Sequence, residues 1–144
     1  MKPEEFSKEM WNCWRDISFA YSSFARKMGV DTSELYVVDA LWDEAEGLSQ
    51  RTICERCDMG KQTVSAICKR LGARDFVTAH PSEADKRERI MVLTDEGREW
   101  WSQSVKRMRE LEVKAAESIT AKEIETFIKV VEQYAKTFQE EVQR

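Results

Sequence analysis

Apolar residues recur every three or four positions at both ends of the chain. Phe6, Met10, Trp14, Ile17, Tyr21, Phe24 and Met28 are spaced 4, 4, 3, 4, 3 and 4 apart, the period of one helical face. They predict a helix over residues 3–29, opened by Pro3 and stopped by Gly29. Trp11, Phe19 and Ala25 lie off that stripe, so the apolar surface is wider than one neighbour needs. It predicts contact with a second subunit as well as with the rest of the chain. A second stripe, Ile124, Phe127, Ile128, Val131, Ala135, Phe138 and Val142, follows the capping box Thr120-Ala121-Lys122-Glu123. Both stripes are too apolar to face water, and an obligate dimer is the expected state.

Between the two stripes the pattern shortens. Asp31, Thr32 or Ser33 can cap a second helix carrying Leu35, Val38, Leu41 and Trp42 and running to about Glu46, where Gly47 ends it. Leu48-Ser49 opens a third helix, with Ser49 as its cap and Ile53, Cys54 and Cys57 facing inward. Asp58-Met59-Gly60 reads as a tight turn. A fourth helix from Lys61 to about Ala73 buries Val64, Ile67, Cys68 and Leu71 and leaves Lys61, Gln62, Ser65, Ala66 and Lys69 outside. Phe76–Ala79 and Arg87–Leu93 have strand character, separated by a tip at His80-Pro81-Ser82-Glu83-Ala84. Thr94 caps a fifth helix, with Asp95 and Glu96 at its positive end. This order is a helix-turn-helix followed by a β-wing. Such a fold sets one helix into a DNA major groove and a hairpin beside it.

Composition narrows the class. The chain has 144 residues, 42% hydrophobic and 35% charged, enough for one domain with a real core. No apolar run approaches the roughly 20 residues of a membrane span. The N-terminus lacks a signal-peptide pattern, so cytoplasmic residence and no membrane partner are expected. The net charge of -4 is wrong for a DNA binder only on average. Residues 49–89 hold nine Lys/Arg against six Asp/Glu, whereas the remainder holds 14 against 21. An acidic body with one basic face steers a polyanion to that face. A single histidine, no glycine-rich phosphate loop and no metal-ligand cluster argue against an enzyme, a metal or a cofactor.

The stretches LSQRTICERCDMGKQTVSAICKRL and DKRERIMVLTDEG resemble the MarR family of bacterial transcription regulators. The first is similar to the family's two helices. The second is similar to its wing, here Asp85, Arg87, Leu93, Thr94 and Gly97. The resemblance covers nearly the whole chain. It implies a mainly α fold with a small β-wing, and a single unit over 1–144. Within it, 31–97 is the winged helix-turn-helix region, and 1–30 and 98–144 are dimerisation helices. It further implies a homodimer that binds pseudo-palindromic double-stranded DNA, most often as a repressor. Release comes from a small aromatic or phenolic effector or from thiol oxidation. Three positions depart from the family pattern. Gly60 replaces a capping Ser, Ala66 replaces a larger polar residue, and Asp75 replaces a Gly. Asp tolerates the left-handed conformation better than most residues, so the turn at 75 is expected to survive.

The residues expected at DNA follow. Gln62, Thr63 and Ser65 face base edges, and Gln can pair bidentately with adenine. Ser49, Gly60 and Ala66 lie at the same face, while Lys61, Lys69 and Arg70 hold phosphates. Arg87 enters a minor groove, oriented by Asp85, with Lys86 and Arg89 on the backbone. For an effector, Trp11, Trp14, Trp42, Trp100 and Trp101 supply aromatic walls, with Arg15 and Tyr36 as polar partners. Cys54 and Cys57 form a CxxC, but no second CxxC accompanies it, and core thiols behave as small hydrophobes. A redox-sensing regulator of the same fold, acting through Cys13, and a winged-helix module for protein association are the alternative readings.

Overall fold

A computed structural model describes residues 1–144, which form two compact units, Met1–Lys106 and Arg107–Arg144. The elements in order are α1 (Pro3–Met28), α2 (Thr32–Trp42), β1 (Leu48–Ser49), α3 (Gln50–Cys57), α4 (Lys61–Ala73), β2 (Val77–Pro81), β3 (Arg89–Leu93), α5 (Asp95–Ala116) and α6 (Ala121–Val142). The fold is mainly helical with one small antiparallel sheet, in the order β1-β3-β2.

The caps lie where side-chain chemistry puts them. Asp31 accepts from the Glu34 backbone N–H, Ser49 from Thr52 and Thr120 from Glu123. Each satisfies one N–H that the first helical turn leaves orphaned. Pro3 starts α1, and Gly29 ends it with a left-handed φ of 71°. Thr94 Oγ1 accepts from Gly97 N at 2.9 Å and donates to the Asp75 carbonyl at 2.6 Å. One hydroxyl thus caps α5 and ties it to the base of the wing. A Cβ at Gly97 would overlap the Phe76 carbonyl oxygen and sit 2.9 Å from the carbonyl carbon. Only glycine lets α5 start so close to β2.

Four boundaries differ from the sequence expectation, each for a physical reason. The second helix is expected to reach about Glu46 but ends at Trp42. Asp43, Glu44 and Glu46 would otherwise crowd the negative end of the helix dipole. Arg98 instead donates to the Trp42 carbonyl at 2.7 Å, and Glu44 accepts from Arg56 at 2.8 Å. Leu48-Ser49, expected as the start of a helix, forms β1, paired with Met91 and Ile90. Gly47, at φ 77°, makes the bend into β1, and a Cβ there would collide with the Met91 carbonyl. His80 and Pro81, expected at the wing tip, are the last residues of β2, opposite Ile90 and Arg89. Arg87 and Glu88, expected in the return strand, belong to the tip. The Ser82 hydroxyl orders that tip by accepting from Ala84 and Asp85 N–H, and Ser82 N donates to the Glu88 carbonyl.

The core of the first unit is centred on α2, whose Leu35, Val37, Val38 and Leu41 are fully buried. Ile53 of α3 joins it, as do Val64, Ile67 and Leu71 of α4. The sheet adds Val77, Met91 and Leu93, and α5 adds Trp101 and Val105. In the second unit, α6 has no buried residue. Phe127 and Phe138 are each about three-fifths exposed, and Ile128 and Val131 are open as well. No helix is long and apolar enough to cross a membrane.

Candidate nucleic-acid interface and adjoining cleft

Helix α4 follows α3 through a turn that needs a left-handed residue. Asp58 supplies it at φ 48°, and its N–H donates to the Cys54 carbonyl. Gly60 is the N-cap of α4 and offers no side-chain bond. The N–H groups of Lys61, Gln62 and Thr63 therefore have no side-chain cap from Gly60, and they stand at the positive end of the helix. Val64, Ile67, Cys68 and Leu71 anchor the inner face. Lys61, Gln62, Thr63, Ser65, Ala66, Lys69 and Arg70 are all exposed on the other. That face combines three amide or hydroxyl side chains, Gln62, Thr63 and Ser65, with cations at both ends, a composition suited to DNA contact. Asp75 takes a left-handed φ of 59° directly after the helix, as expected of a residue with that tolerance.

The wing projects a second set of charges. Lys86, Arg87 and Arg89 are exposed, and the Arg87 side chain is 93% accessible. Asp85 Oδ1 accepts from Arg87 N at 3.0 Å and from Arg87 Nε at 3.4 Å. The carboxylate thus holds the base of the arginine and leaves its tip free to project. Ser49 is placed differently from the other DNA candidates. It is only 8% exposed, and its hydroxyl is engaged with Thr52.

Arg70 carries a partner that was not visible in sequence. Its Nε donates to Glu34 Oε1 at 3.1 Å, and Arg74 Nη1 donates to Glu34 Oε2 at 3.3 Å. Glu34 is buried, so its charge is compensated by two guanidinium groups that fix the C-terminal half of α4 on α2. Arg74 also lies over the Phe76 ring at 4.5 Å and the Trp100 ring at 4.6 Å. Neither Glu34 nor Arg74 was singled out by spacing. Their partners lie 36 and 40 positions apart, beyond any local pattern.

The aromatic residues separate into four groups. Trp100 and Trp101 meet edge-on at 4.9 Å, next to Phe76 and Arg74. Trp42 lies under Arg98. Trp11 is two-thirds exposed on α1, and Arg15 pairs with Asp16 on the same helix. Of the effector candidates, Trp14 and Tyr36 line one cleft, of about 660 Å³. Its α1 wall adds Ile17, Ser18 and Tyr21, and its α2 wall adds Asp39 and Ala40. Arg56, Cys57 and Asp58 close the end nearest the turn. The Tyr21 and Tyr36 rings meet edge-on at 6.0 Å. The helical spacing of Trp14, Ser18 and Tyr21 was a readable signal for that wall.

All four cysteines are free thiols, and no three metal-binding side chains come together. Burial pushes the Cys68 thiol up to about 11. Burial, reinforced by the Asp39 charge, also raises Cys57, whose Sγ donates to the Tyr36 carbonyl at 3.6 Å. At neutral pH the Cys68 thiolate is about one part in 10⁴. Iodoacetamide followed by mass spectrometry is therefore expected to label exposed Cys13 first and to leave Cys68 unmodified in the folded protein. Labelling of Cys68 as fast as Cys13 would contradict its burial.

Comparison with known proteins matches this geometry. Residues 28–88 match the MarR family model. A 94-residue stretch is 30% identical to the HTH-type transcriptional regulator MgrA of Staphylococcus aureus, covering 64% of this chain and 63% of that protein. The match thus spans just under two thirds of the curated relative's length. Among solved structures, a MarR family regulator from Neisseria meningitidis superposes with a TM-score of 0.80 at 18% identity, over 94% of this chain and 95% of that one. The PcaV transcriptional regulator from Streptomyces coelicolor, in complex with its natural ligand, superposes at 0.67 with 24% identity, over 86% and 89%. The helix order, the three-stranded wing, the glycine that seats α5 against β2 and these matches agree: the chain has a winged-helix fold, and its residues 28–88 are similar to the MarR family.

Proposed function

We propose that this protein is a homodimeric transcriptional regulator that binds pseudo-palindromic duplex DNA, acts as a repressor, and loosens its grip when a small aromatic effector binds. The observation that carries the reading is the α4 face, anchored by four buried residues and displaying Gln62, Thr63 and Ser65 between Lys61 and Lys69. The free arm of Arg87 is the second contact. In this reading Gln62, Thr63 and Ser65 read bases, Lys61, Lys69, Lys86 and Arg89 hold phosphates, and Arg87 enters the minor groove. Arg70 divides its role, since Glu34 already holds one edge of its guanidinium.

The exposed apolar stripes of α1 and α6 support the dimer. Side chains such as Trp11, Phe19, Phe127 and Phe138 form apolar surface of the kind that monomers rarely leave in water. Two-fold symmetry then requires two half-sites about one helical turn, ~10 bp, apart. Selection from a randomised duplex pool, together with sedimentation of the free protein, tests both parts. The expected result is an inverted repeat with that spacing and a dimer at micromolar concentration. A stable folded monomer, or a pool that never enriches, would overturn the reading.

A further inference from the structure

Two arginines of the α4 segment meet one carboxylate, which leaves one positive charge over. Glu34 Oε1 accepts from Arg70 Nε at 3.1 Å, and Oε2 accepts from Arg74 Nη1 at 3.3 Å. The Glu34 side chain is 8% exposed, against 53% for Arg70 and 40% for Arg74. Its backbone is fixed as well, since Glu34 N donates to Asp31 Oδ1 at 2.9 Å in the first turn of α2. The positive end of that helix favours the carboxylate. Arg74 is held twice, because its guanidinium also lies over the Phe76 and Trp100 rings. It is the standing counterion of Glu34. Arg70 keeps a charge of its own, and it meets Glu34 through Nε, the guanidinium nitrogen nearest the stem.

We propose that Glu34 is a positioning residue for DNA binding. It holds Arg70 by Nε and so presents the Nη tip of that guanidinium to a backbone phosphate. Arg70 continues the i, i+4 row of Gln62 and Ala66 on α4, at the edge of the face that carries the readers. A guanidinium has five N–H donors in a rigid fork. A carboxylate on Nε and a phosphate on the Nη groups can therefore be held together. A lysine in the same place has one head for both anions. Arg74 completes the arrangement, because its charge keeps Glu34 from cancelling that of Arg70.

That role rests on the regulator reading above, and its consequence runs against simple charge counting. By charge alone, removing a carboxylate near a surface that binds a polyanion strengthens binding. Removing the residue that fixes Arg70 does the reverse. A long side chain must then be ordered when DNA binds, a cost of roughly 2- to 10-fold in affinity. Glu34→Gln keeps the size of the side chain and one carbonyl oxygen, so it separates the two effects by sign.

Anisotropy of a labelled duplex carrying the selected inverted repeat, titrated with the full-length protein over a range of salt, measures the effect. Arg70→Gln is expected to weaken binding and to lower the salt slope by about 1, the share of one phosphate contact. Glu34→Gln is expected to weaken binding roughly 2- to 10-fold, and to cause no further loss once Arg70 is replaced by Gln. Arg70→Lys, at an exposed position, is expected to resemble Arg70→Gln despite keeping the charge. Unchanged or stronger binding by Glu34→Gln would overturn the positioning role in favour of charge alone. An equal loss with and without Arg70 would overturn it in favour of a purely structural joint between α2 and α4. Wild-type affinity and slope in Arg70→Lys would overturn it too, and that result holds even if a urea melt shows Glu34→Gln unfolded. Failure of the wild-type protein to bind any duplex at low salt would overturn the regulator reading itself, and the role of Glu34 with it.

Discussion

Trp101→Ala is expected to lower the unfolding free energy by about 3–5 kcal/mol, the range for removing a buried Trp or Phe ring. The side chain is fully buried in the first unit and packs edge-on to Trp100 at 4.9 Å. Its indole N–H is buried with no hydrogen-bond partner, so the ring stabilises the fold by packing alone. That makes a second expectation sharp. Trp101→Phe deletes an unsatisfied donor along with part of the ring and should cost clearly less than the alanine change. Urea denaturation of the three proteins measures both, read as midpoint shifts at constant slope. A loss of under ~1 kcal/mol for Trp101→Ala would mean that the contact between α5 and the winged region is not part of the cooperative core.

Arg87→Ala is expected to leave stability unchanged and to weaken operator binding by about 1–3 kcal/mol, or roughly 5- to 150-fold. The two halves of that expectation come from one observation. The guanidinium is 93% exposed, and its only partner is Asp85 at 3.4 Å on the same tip. Exposed pairs of this kind contribute roughly 0–1 kcal/mol to folding. The same exposure leaves the arginine free to enter a groove, with Asp85 limiting the angles it samples. Anisotropy with a labelled duplex at fixed salt measures the loss, and a parallel urea melt checks the fold. Unchanged affinity in a folded variant would remove the wing from the interface.

Much of the scaffold was legible because its determinants are local. The 3–4 spacing of α1 and α6 needed no partner to be read, and neither did the caps at Ser49 and Thr120. Asp75 was expected to tolerate a left-handed turn and takes one. What stayed hidden depends on distant residues. β1 is two residues long and exists only because Met91 and Ile90 pair with it. The end of α2 is set by Arg98, 56 positions away, and by carboxylates that resist the helix dipole. Arg70 looked like a simple phosphate ligand because the buried Glu34 that holds it belongs to another helix. The tryptophans lie in different surroundings. Trp100 and Trp101 went to the packing around Phe76 and Arg74, and Trp14 alone joined Tyr36 at the cleft. The lining of that cleft could not be foreseen, because Tyr36 of α2 and Asp58 at the end of α3 come to one cleft only once the helices are packed.

The central claim is that α4 and the wing read duplex DNA. Its most direct test is an anisotropy titration of the wild-type protein against the selected inverted repeat and an unrelated duplex of equal length, repeated over a range of salt. Affinity for both should fall linearly on a log–log plot, since phosphate contacts release counterions. The selected duplex should remain bound about 10³-fold or more tightly than the unrelated one at physiological salt. No binding to either duplex at low salt, or equal affinity for both throughout, would contradict the account.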